Sequence, residues 1–414
     1  MTVGTGTGTD RAFVIVGASL AGAKAAEALR EAGHDGPVVL VGDEHERPYE
    51  RPPLSKGYLL GTSEREKIYV HPPQWYAEHD VTLRLGLAVT AISPTAHTVT
   101  LADGSRIPYA KLLLATGSSP RRLPVPGSDH AGVFYLRRVG DSERLKEVLR
   151  PRARIVVVGA GWIGLETAAA ARAAGAEVTV LESAELPLLR VLGREVAEVF
   201  AGLHRDNGVD LRFGVQVQEL TGGADGVTGV RLGDGSTVAA DAVIVGIGIT
   251  PNTALAEAAG LDVDNGVRTD ERLRTSVPDV FAAGDVANAF HPLLGRHIRV
   301  EHWANALNQP QTAARSMLGQ DAVYDRVPYF FSDQYDLGME YTGYVEPGGY
   351  DRVVFRGDVA GREFIAFWLS GGRVLAGMNV NVWDVTDPVR ELVRSGRTVD
   401  PAALADPARP LAEV

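Results

Sequence analysis

A glycine-rich segment at residues 159–164, GAGWIG, has the complete G-x-G-x-x-G spacing of a dinucleotide-binding turn. The first glycine permits a tight turn, the second leaves room for a pyrophosphate, and the third lets the following helix lie close to the sheet. The pyrophosphate would sit at the N-terminus of that helix, which favours negative charge. We therefore predict a dinucleotide site that includes Gly159, Gly161, Ile163 and Gly164.

Glu182 ends the next predicted strand and is expected to select the nucleotide. A carboxylate at this position accepts a hydrogen bond from the 2′-hydroxyl of NAD and repels the 2′-phosphate of NADP. The residues at 183–185 offer no arginine for a phosphate, and Arg190 lies further along the chain. NADH is therefore the favoured electron donor, and a solvated glutamate at a strand end is the alternative interpretation.

A second turn, GASLAG at residues 17–22, matches the same fingerprint imperfectly. Gly17 and Gly22 occupy the first and last glycine positions, whereas Ser19 replaces the glycine beside the pyrophosphate. Asp43 closes the following strand, where a carboxylate can accept a hydrogen bond from a ribose hydroxyl. The segment predicts a second nucleotide site, and an ordinary strand–helix turn is the alternative.

Two further strand ends carry residues that suit a flavin nucleotide. Ala115, Thr116 and Gly117 end one strand, and Gly284 and Asp285 end another. Gly284 lets a ligand approach the backbone, and Asp285 can accept hydrogen bonds from ribityl hydroxyls. Because two dinucleotides in one chain usually mean a flavin and a nicotinamide, we predict redox chemistry on bound cofactors.

Repeated strand–helix–strand units must position these turns. Apolar runs predict strands at 12–16, 38–41, 112–117, 155–158, 178–181, 242–246 and 280–282, and Ala-rich helices at about 23–32 and 165–174. From about residue 328 the chain becomes β-rich, with strands at 353–355, 364–369 and 374–379 and a Gly371-Gly372 hairpin. The prediction is an α/β fold with two Rossmann-like dinucleotide-binding domains and a C-terminal α+β domain.

Composition excludes several classes of function. The 414 residues include no cysteine, so disulfide chemistry, thiolate nucleophiles and iron–sulfur ligation by this chain are excluded. A net charge of −11 disfavours nucleic-acid binding. No apolar run suits a membrane span, residues 1–10 do not resemble a signal peptide, and His297 and His302 lack further ligands for a metal. We expect a cytoplasmic protein without a metal site.

The order GASLAG, RPPLSK, ATGSSP, GAGWIGLE, FAAGDVAN, EHWANALNQ and FFSDQYD resembles the FAD-dependent, NADH-linked ferredoxin reductases. These glutathione-reductase-like flavoproteins supply oxygenases and cytochromes P450 with electrons. The resemblance runs from about Arg11 to Asp406, and RPPLSK and SDQY are its more specific parts. Ser19 departs from the pattern, as does Phe331, where the family often has tryptophan. The resemblance implies FAD and NADH as cofactors and a small iron–sulfur ferredoxin as the electron acceptor.

Three domains are expected on this basis. The FAD-binding domain is discontinuous, with segments 11–118 and 246–327, and the NAD-binding domain at 119–245 interrupts it. The C-terminal α+β domain covers 328–414, and residues 1–10 form a flexible tail. The Pro-rich stretch 120–126 would be a linker, and the Pro/Ala-rich tail beyond Arg397 is expected to lie over the surface. A monomer and a homodimer both remain open.

By the same resemblance, Lys56 lies beside the reactive edge of the flavin and pairs with Glu166 near the nicotinamide. A positive charge and donors there would tune the flavin potential, and a buried lysine needs an acidic partner. The other cofactor-binding positions expected in this chain are Ala21, Arg51, Val89, Arg137, Gly246, Gly248 and Trp303.

The acceptor leaves alternatives open. Docking of an acidic ferredoxin would use local basic residues, with Arg65, Lys67, Arg121, Arg122 and Arg299 as candidates. A second hypothesis keeps the flavin but changes the acceptor to rubredoxin, a quinone or a small oxidant. A third, from another class, is a redox-sensing binding module similar to apoptosis-inducing factor.

Overall fold

The computed structural model describes residues 11–414, which group into two compact units. The predicted flexible tail, residues 1–10, lies outside the described residues. The first unit contains residues 11–50, 65–119 and 250–326, and the second contains Arg51–Glu64, Pro120–Ile249 and Val327–Val414. This grouping joins the C-terminal segment and residues 51–64 to the central segment, and the three-domain division stays a prediction.

A parallel sheet forms the centre of the first unit. Its strand order is Val81–Arg84, Val38–Val41, Ala12–Val16, Arg106–Leu114 and Val280–Ala282. Ala12–Val16 is buried along its whole length, as expected of a parallel strand covered on both faces. The helix Leu20–Glu31 begins inside the GASLAG segment, three residues earlier than its Ala-rich stretch predicted, and packs against Trp303–Met317.

The first unit also carries shorter elements around this sheet. Two short strands, Ser118–Pro120 and Ile249–Pro251, contain the points in the sequence at which the chain passes from one unit to the other. The remaining elements are the strands Val89–Ser93, Thr98–Leu101, Val267–Thr269, Ala287–His291 and Arg296–Arg299, the helices Pro73–Glu78 and Ala254–Ala258, and the 3₁₀ turn Arg65–Ile68.

A second parallel sheet repeats this arrangement in the second unit. Its strand order is Asp210–Arg212, Glu177–Leu181, Arg154–Val158, Ala242–Val245 and Val133–Phe134. The helix Trp162–Ala173 begins inside the GAGWIG segment, and its residues from Gly164 to Ala171 are all buried. Alanine permits this close packing because its side chain adds little volume between helix and sheet.

An antiparallel sheet forms the C-terminal part of the second unit, in the order Tyr329–Gln334, Leu337–Gly343, Arg373–Val380, Glu363–Ser370 and Arg352–Asp358. Gly371 and Gly372 connect two of these strands with φ angles of 56° and 77°, as the hairpin prediction requires. The chain beyond Arg397 was expected on the surface, but Leu404 and Leu411 are buried in the core beside Leu392. Leucines among the Pro and Ala residues explain this burial.

Shorter elements complete the second unit. They are the strands Val217–Gly223, Gly226–Leu232 and Thr237–Ala239, the helices Gly57–Leu60, Val139–Val148, Leu189–Leu192, Arg194–Asp206, Thr386–Ser395 and Pro401–Ala405, and the 3₁₀ turns Pro52–Ser55 and Leu411–Glu413.

Candidate functional site

The glycine turn of the first unit leaves no room for side chains at its two glycines. Gly17 has a φ of +115°, and a Cβ added there would lie 2.1 Å from the carbonyl oxygen of Ala115. A Cβ on Gly22 would lie 2.0 Å from the carbonyl oxygen of Gly17. Both distances are well below van der Waals contact, so the glycines are required to bring the strand, the turn and the helix together.

The start of the helix Leu20–Glu31 lies beside Gly284, which belongs to the second strand end predicted to bind the flavin nucleotide. Ser19 is the N-cap of Leu20–Glu31, and its side chain makes no capping hydrogen bond. Gly284 has a φ of +80°, and its N–H donates to Gln309 Oε1 at 2.8 Å. A Cβ on Gly284 would lie 3.1 Å from the Cβ of Ala21. Small residues on both sides, next to a helix N-terminus, fit the pyrophosphate of FAD.

Thr116 is held in place by Asn252, a residue that sequence reasoning missed. Thr116 Oγ1 donates to the Asn252 carbonyl oxygen at 3.0 Å, and Asn252 Nδ2 donates to the Thr116 carbonyl oxygen at 2.8 Å. Gly117 follows with a φ of 64°. Asp43 is exposed after its strand, and Val89 is half-buried in Val89–Ser93.

Trp303 contacts a second residue that the sequence analysis did not single out. Its indole Nε1 donates to Glu50 Oε2 at 3.2 Å. Burial raises the pKa of Glu50, and the hydrogen bond from Trp303 acts in the opposite direction. Glu50 directly precedes the RPPLSK segment, and this position was the one available signal for it.

In the complete glycine turn of the second unit, two glycines have no room for a side chain and one glycine has free space beside it. A Cβ on Gly159 would lie 2.5 Å from the carbonyl oxygen of Gly246, and one on Gly164 would lie 2.1 Å from that of Gly159. A Cβ on Gly161 would meet nothing nearer than the Gly246 carbonyl oxygen, at 3.9 Å. The space at Gly161 is therefore free for the pyrophosphate of a dinucleotide, and the residues present fit the group.

Glu182 lies beside this nucleotide turn, directly after the next strand. One carboxylate oxygen accepts from the Ala160 N–H at 2.7 Å, and the other accepts from the Ala184 N–H at 2.8 Å. These bonds fix the carboxylate beside the turn, in the position expected of a ribose-binding residue. Ile163 and Gly248 are exposed, and Arg190 is exposed on Leu189–Leu192.

The structure brings Lys56 and Glu166 together. Lys56 Nζ lies 2.8 Å from Glu166 Oε1, and Glu166 is only 4% exposed. Ser55 Oγ donates to Glu166 Oε2 at 2.5 Å, and Ser332 Oγ donates to Glu166 Oε1 at 2.7 Å. The buried carboxylate thus has a cationic partner and two hydroxyl donors, as a buried charge requires.

Several residues around this pair were not predicted. Lys56 Nζ lies 5.5 Å from the centre of the Phe331 ring, within the range of a cation–π interaction. Gln334 Nε2 donates to Ser332 Oγ at 3.2 Å, and Gln334 Oε1 lies 2.9 Å from His204 Nε2. Phe331 and the SDQY motif were the sequence signals for this region, and neither indicated His204.

Arg51 and Arg137 are also brought together in the second unit. The Arg51 guanidinium donates to the carbonyl oxygen of Arg137. The backbone N–H of Arg137 donates to Asp141 Oδ2 at 3.0 Å, at the start of Val139–Val148. Their predicted role in binding FAD stays a prediction.

We expect Gly161→Ala to weaken NADH binding without destabilising the protein. The added methyl occupies the open space, so the KM for NADH should rise about tenfold. Gly161 has φ −80° and ψ −177°, which alanine adopts, so the Tm should change by no more than about 2 °C. Gly164→Ala is the contrasting variant, because its Cβ overlaps backbone, and should cost about 3 kcal/mol of stability. Equal effects of the two variants would contradict this assignment.

His204 predicts a pH dependence of stability. Burial lowers the pKa of His204 from its ordinary 6.5 to about 4. Between these values the unfolded chain binds a proton that the folded chain does not, so stability falls as the pH falls. From about pH 7 to about pH 5 this group should remove about 2 kcal/mol. Chemical denaturation of His204→Gln should show that much less loss. An identical pH dependence in the variant would contradict the buried neutral imidazole.

Comparison with known proteins defines the class. Residues 11–310 match the pyridine nucleotide-disulphide oxidoreductase family, and residues 329–414 match the reductase C-terminal family. The chain belongs to the pyridine nucleotide-disulphide oxidoreductase family. The predicted α/β fold class and the resemblance to ferredoxin reductases are confirmed, as are FAD and NADH as the cofactors of this family.

The chain is similar to several ferredoxin reductases, one of them from a dioxygenase system. The chain is 43% identical over 396 residues to the ferredoxin–NAD(+) reductase component of the anthranilate 1,2-dioxygenase system of Burkholderia cepacia, with 95% and 97% of the two chains covered. It is 41% identical to putidaredoxin reductase of Pseudomonas putida, with 97% and 96% covered. The crystal structure of the covalent putidaredoxin reductase–putidaredoxin complex matches with a TM-score of 0.94, 40% identity and 98% of each chain covered.

Two features are absent from the part of the chain that the structure describes. Within residues 11–414, no helix combines the length and the apolar character that crossing a membrane requires. The same residues contain no group of three or more His, Asp or Glu side chains that could hold a metal ion.

Proposed function

We propose that this chain is an FAD-dependent NADH:ferredoxin oxidoreductase. The observation that carries the proposal is the pair of dinucleotide turns in one chain, one in each unit, each with glycines at which the backbone leaves no room for a side chain. The chain is similar over nearly its whole length to relatives named as ferredoxin reductases, and this similarity supports the same function.

In this proposal the first unit binds FAD and the parallel sheet of the second unit binds NADH. FAD, when bound, supplies the chemistry that converts a hydride into single electrons. Gly17 shapes the tight turn, and Ser19 and Ala21 at the helix N-terminus, with the small Gly284 beside Ala21, would hold its pyrophosphate and ribityl segment. Gly161 and Glu182 hold NADH through its pyrophosphate and its adenine ribose.

Lys56 and Glu166 are proposed to set the charge beside the flavin ring. The Lys56 ammonium favours the arrival of negative charge, and the Glu166 carboxylate keeps that lysine in one place. The two serine hydroxyls share the negative charge of the carboxylate. No general acid–base residue is needed, because the hydride transfer from NADH moves no free proton.

The proposed acceptor is a small acidic iron–sulfur ferredoxin that serves a cytochrome P450 or another oxygenase, and the proposed location is the cytoplasm. The net charge of −11 means that docking depends on a local basic surface rather than on the whole molecule. Arg65, Lys67, Arg121 and Arg122 remain the candidate docking residues. The side chain of Arg299 is only 8% exposed and pairs with Glu301, so the structure does not favour its predicted docking role. The absence of cysteine excludes the use of this chain's own thiols to reduce a disulphide, the reaction for which the family is named.

The test is NADH-driven cytochrome c reduction by the FAD-loaded protein, with and without a panel of small ferredoxins. Strong stimulation by a ferredoxin is the expected result. Bleaching of the flavin by NADH without such stimulation would leave the NADH site standing and remove the ferredoxin. Rubredoxin, a quinone or a small oxidant would then be the acceptors to assay. Slow bleaching with a persistent charge-transfer band would favour a redox-sensing binding module.

A further inference from the structure

A chain of hydrogen-bonded side chains runs through the core of the second unit and ends on Glu166. It joins His204 on Arg194–Asp206, Gln334 and Ser332 on Tyr329–Gln334, and Glu166 on Trp162–Ala173. These four side chains are each at most 4% exposed. Tyr335 extends the chain, with its hydroxyl 3.3 Å from His204 Nδ1.

The ionised carboxylate fixes the direction of every bond in this chain. Glu166 can only accept, so the Ser332 hydroxyl donates to it and must itself accept from Gln334 Nε2. Gln334 Oε1 then accepts, which places the His204 proton on Nε2. Nδ1 is left as the acceptor for the Tyr335 hydroxyl. All donors point towards Glu166, and hydrogen bonds aligned in this way strengthen one another.

The neutral state of His204 fits this arrangement. Its imidazole is fully buried, and burial lowers its pKa well below neutral pH. The side chains that hydrogen-bond to it are the amide of Gln334 and the hydroxyl of Tyr335, neither of which is charged. One neutral tautomer therefore persists over the pH range in which NADH is used.

We propose that Ser332, Gln334 and His204 are positioning residues, which hold the Glu166 carboxylate and, through it, the Lys56 ammonium in one place with a reduced negative charge. A simple structural tie between helix and strand would not need donors aligned on a single carboxylate, because apolar side chains of similar volume stabilise such contacts equally well. The inference rests on the proposed function, in which Lys56 sets the charge beside the flavin.

The experiment compares Ser332→Ala with Ser332→Thr in the FAD-loaded protein. The alanine variant loses the donor to Glu166, whereas the threonine variant keeps the hydroxyl. Thr342→Val is the matched control, because Thr342 lies in the neighbouring strand and its buried hydroxyl has no hydrogen-bond partner among the described residues. Each protein is measured for flavin midpoint potential with a chemical reductant, for the rate of bleaching by saturating NADH, and for Tm.

Ser332→Ala should lower the bleaching rate about tenfold and shift the midpoint potential to a more negative value, because Glu166 keeps more negative charge beside Lys56. Ser332→Thr and Thr342→Val should both match the wild type. Gln334→Met, which leaves the last bond in place, should lower the rate about threefold. Gln334→Met tests the role of the hydrogen-bonded side chains even if Ser332→Ala fails to fold.

Wild-type potential and bleaching rate in both Ser332→Ala and Gln334→Met would overturn the inference. An equal change in Thr342→Val would also overturn it, since the effect would then follow from packing of the sheet. If NADH fails to bleach the wild-type flavin, the proposed function is wrong. The midpoint potentials, which need no NADH, still decide whether the chain of hydrogen bonds acts on the flavin.

Discussion

Replacing Lys56 with methionine should lower the rate at which NADH bleaches the bound flavin about a hundredfold, while the FAD content stays unchanged. Methionine keeps most of the length of the lysine side chain but removes its charge. The variant also leaves the Glu166 carboxylate buried with only the two serine hydroxyls as donors. That unbalanced negative charge opposes the transfer of an electron pair to the same region. Stopped-flow absorbance of the flavin under anaerobic conditions measures the rate.

Two further proteins separate charge from a general loss of structure. Lys146→Met removes a lysine whose Nζ lies 4.7 Å from the Tyr58 ring centre, elsewhere in the second unit, and should bleach like the wild type. The double variant Lys56→Met with Glu166→Gln should recover part of the rate, since the unbalanced charge is gone. An unchanged bleaching rate and midpoint potential in Lys56→Met would remove Lys56 from the mechanism.

The glycine turns could be predicted from the sequence because their geometry depends on local steric rules. At Gly17, Gly22, Gly159 and Gly164 a single Cβ would overlap a backbone oxygen, so the residue type itself records the turn. The helix after each turn was predicted too late along the chain, since alanine content marks only its middle. The structure begins these helices at Leu20 and Trp162.

The polar surroundings of Glu166 could not be predicted in the same way. Ser332 lies 166 residues away from Glu166 in the chain, and His204 lies 130 residues from Gln334. Neither periodicity nor spacing records which buried polar groups meet across such distances. Family resemblance indicated the Lys56–Glu166 pair and marked SDQY as specific, but it gave no partner for the glutamine.

Replacing Glu182 with arginine should change the nucleotide preference from NADH towards NADPH. The arginine removes the acceptor for the ribose hydroxyls and offers a bidentate partner to the 2′-phosphate. We expect kcat/KM for NADH to fall about a hundredfold and that for NADPH to rise about tenfold. Glu182→Ala is the necessary control, because the wild-type carboxylate also accepts hydrogen bonds from the Ala160 and Ala184 N–H groups.

Comparison of the two variants divides the effect between the turn and the ribose. Loss of the two backbone hydrogen bonds is common to both, so the alanine variant should lose NADH activity without gaining NADPH activity. A gain with NADPH in the arginine variant alone then reports the phosphate contact. Arg190→Ala should leave the preference unchanged, because the Glu182 carboxylate is the side chain bonded to the glycine turn. If Glu182→Arg keeps the wild-type ratio of the two kcat/KM values, Glu182 does not distinguish the 2′-hydroxyl from the 2′-phosphate. The preference for NADH must then arise elsewhere in the second unit.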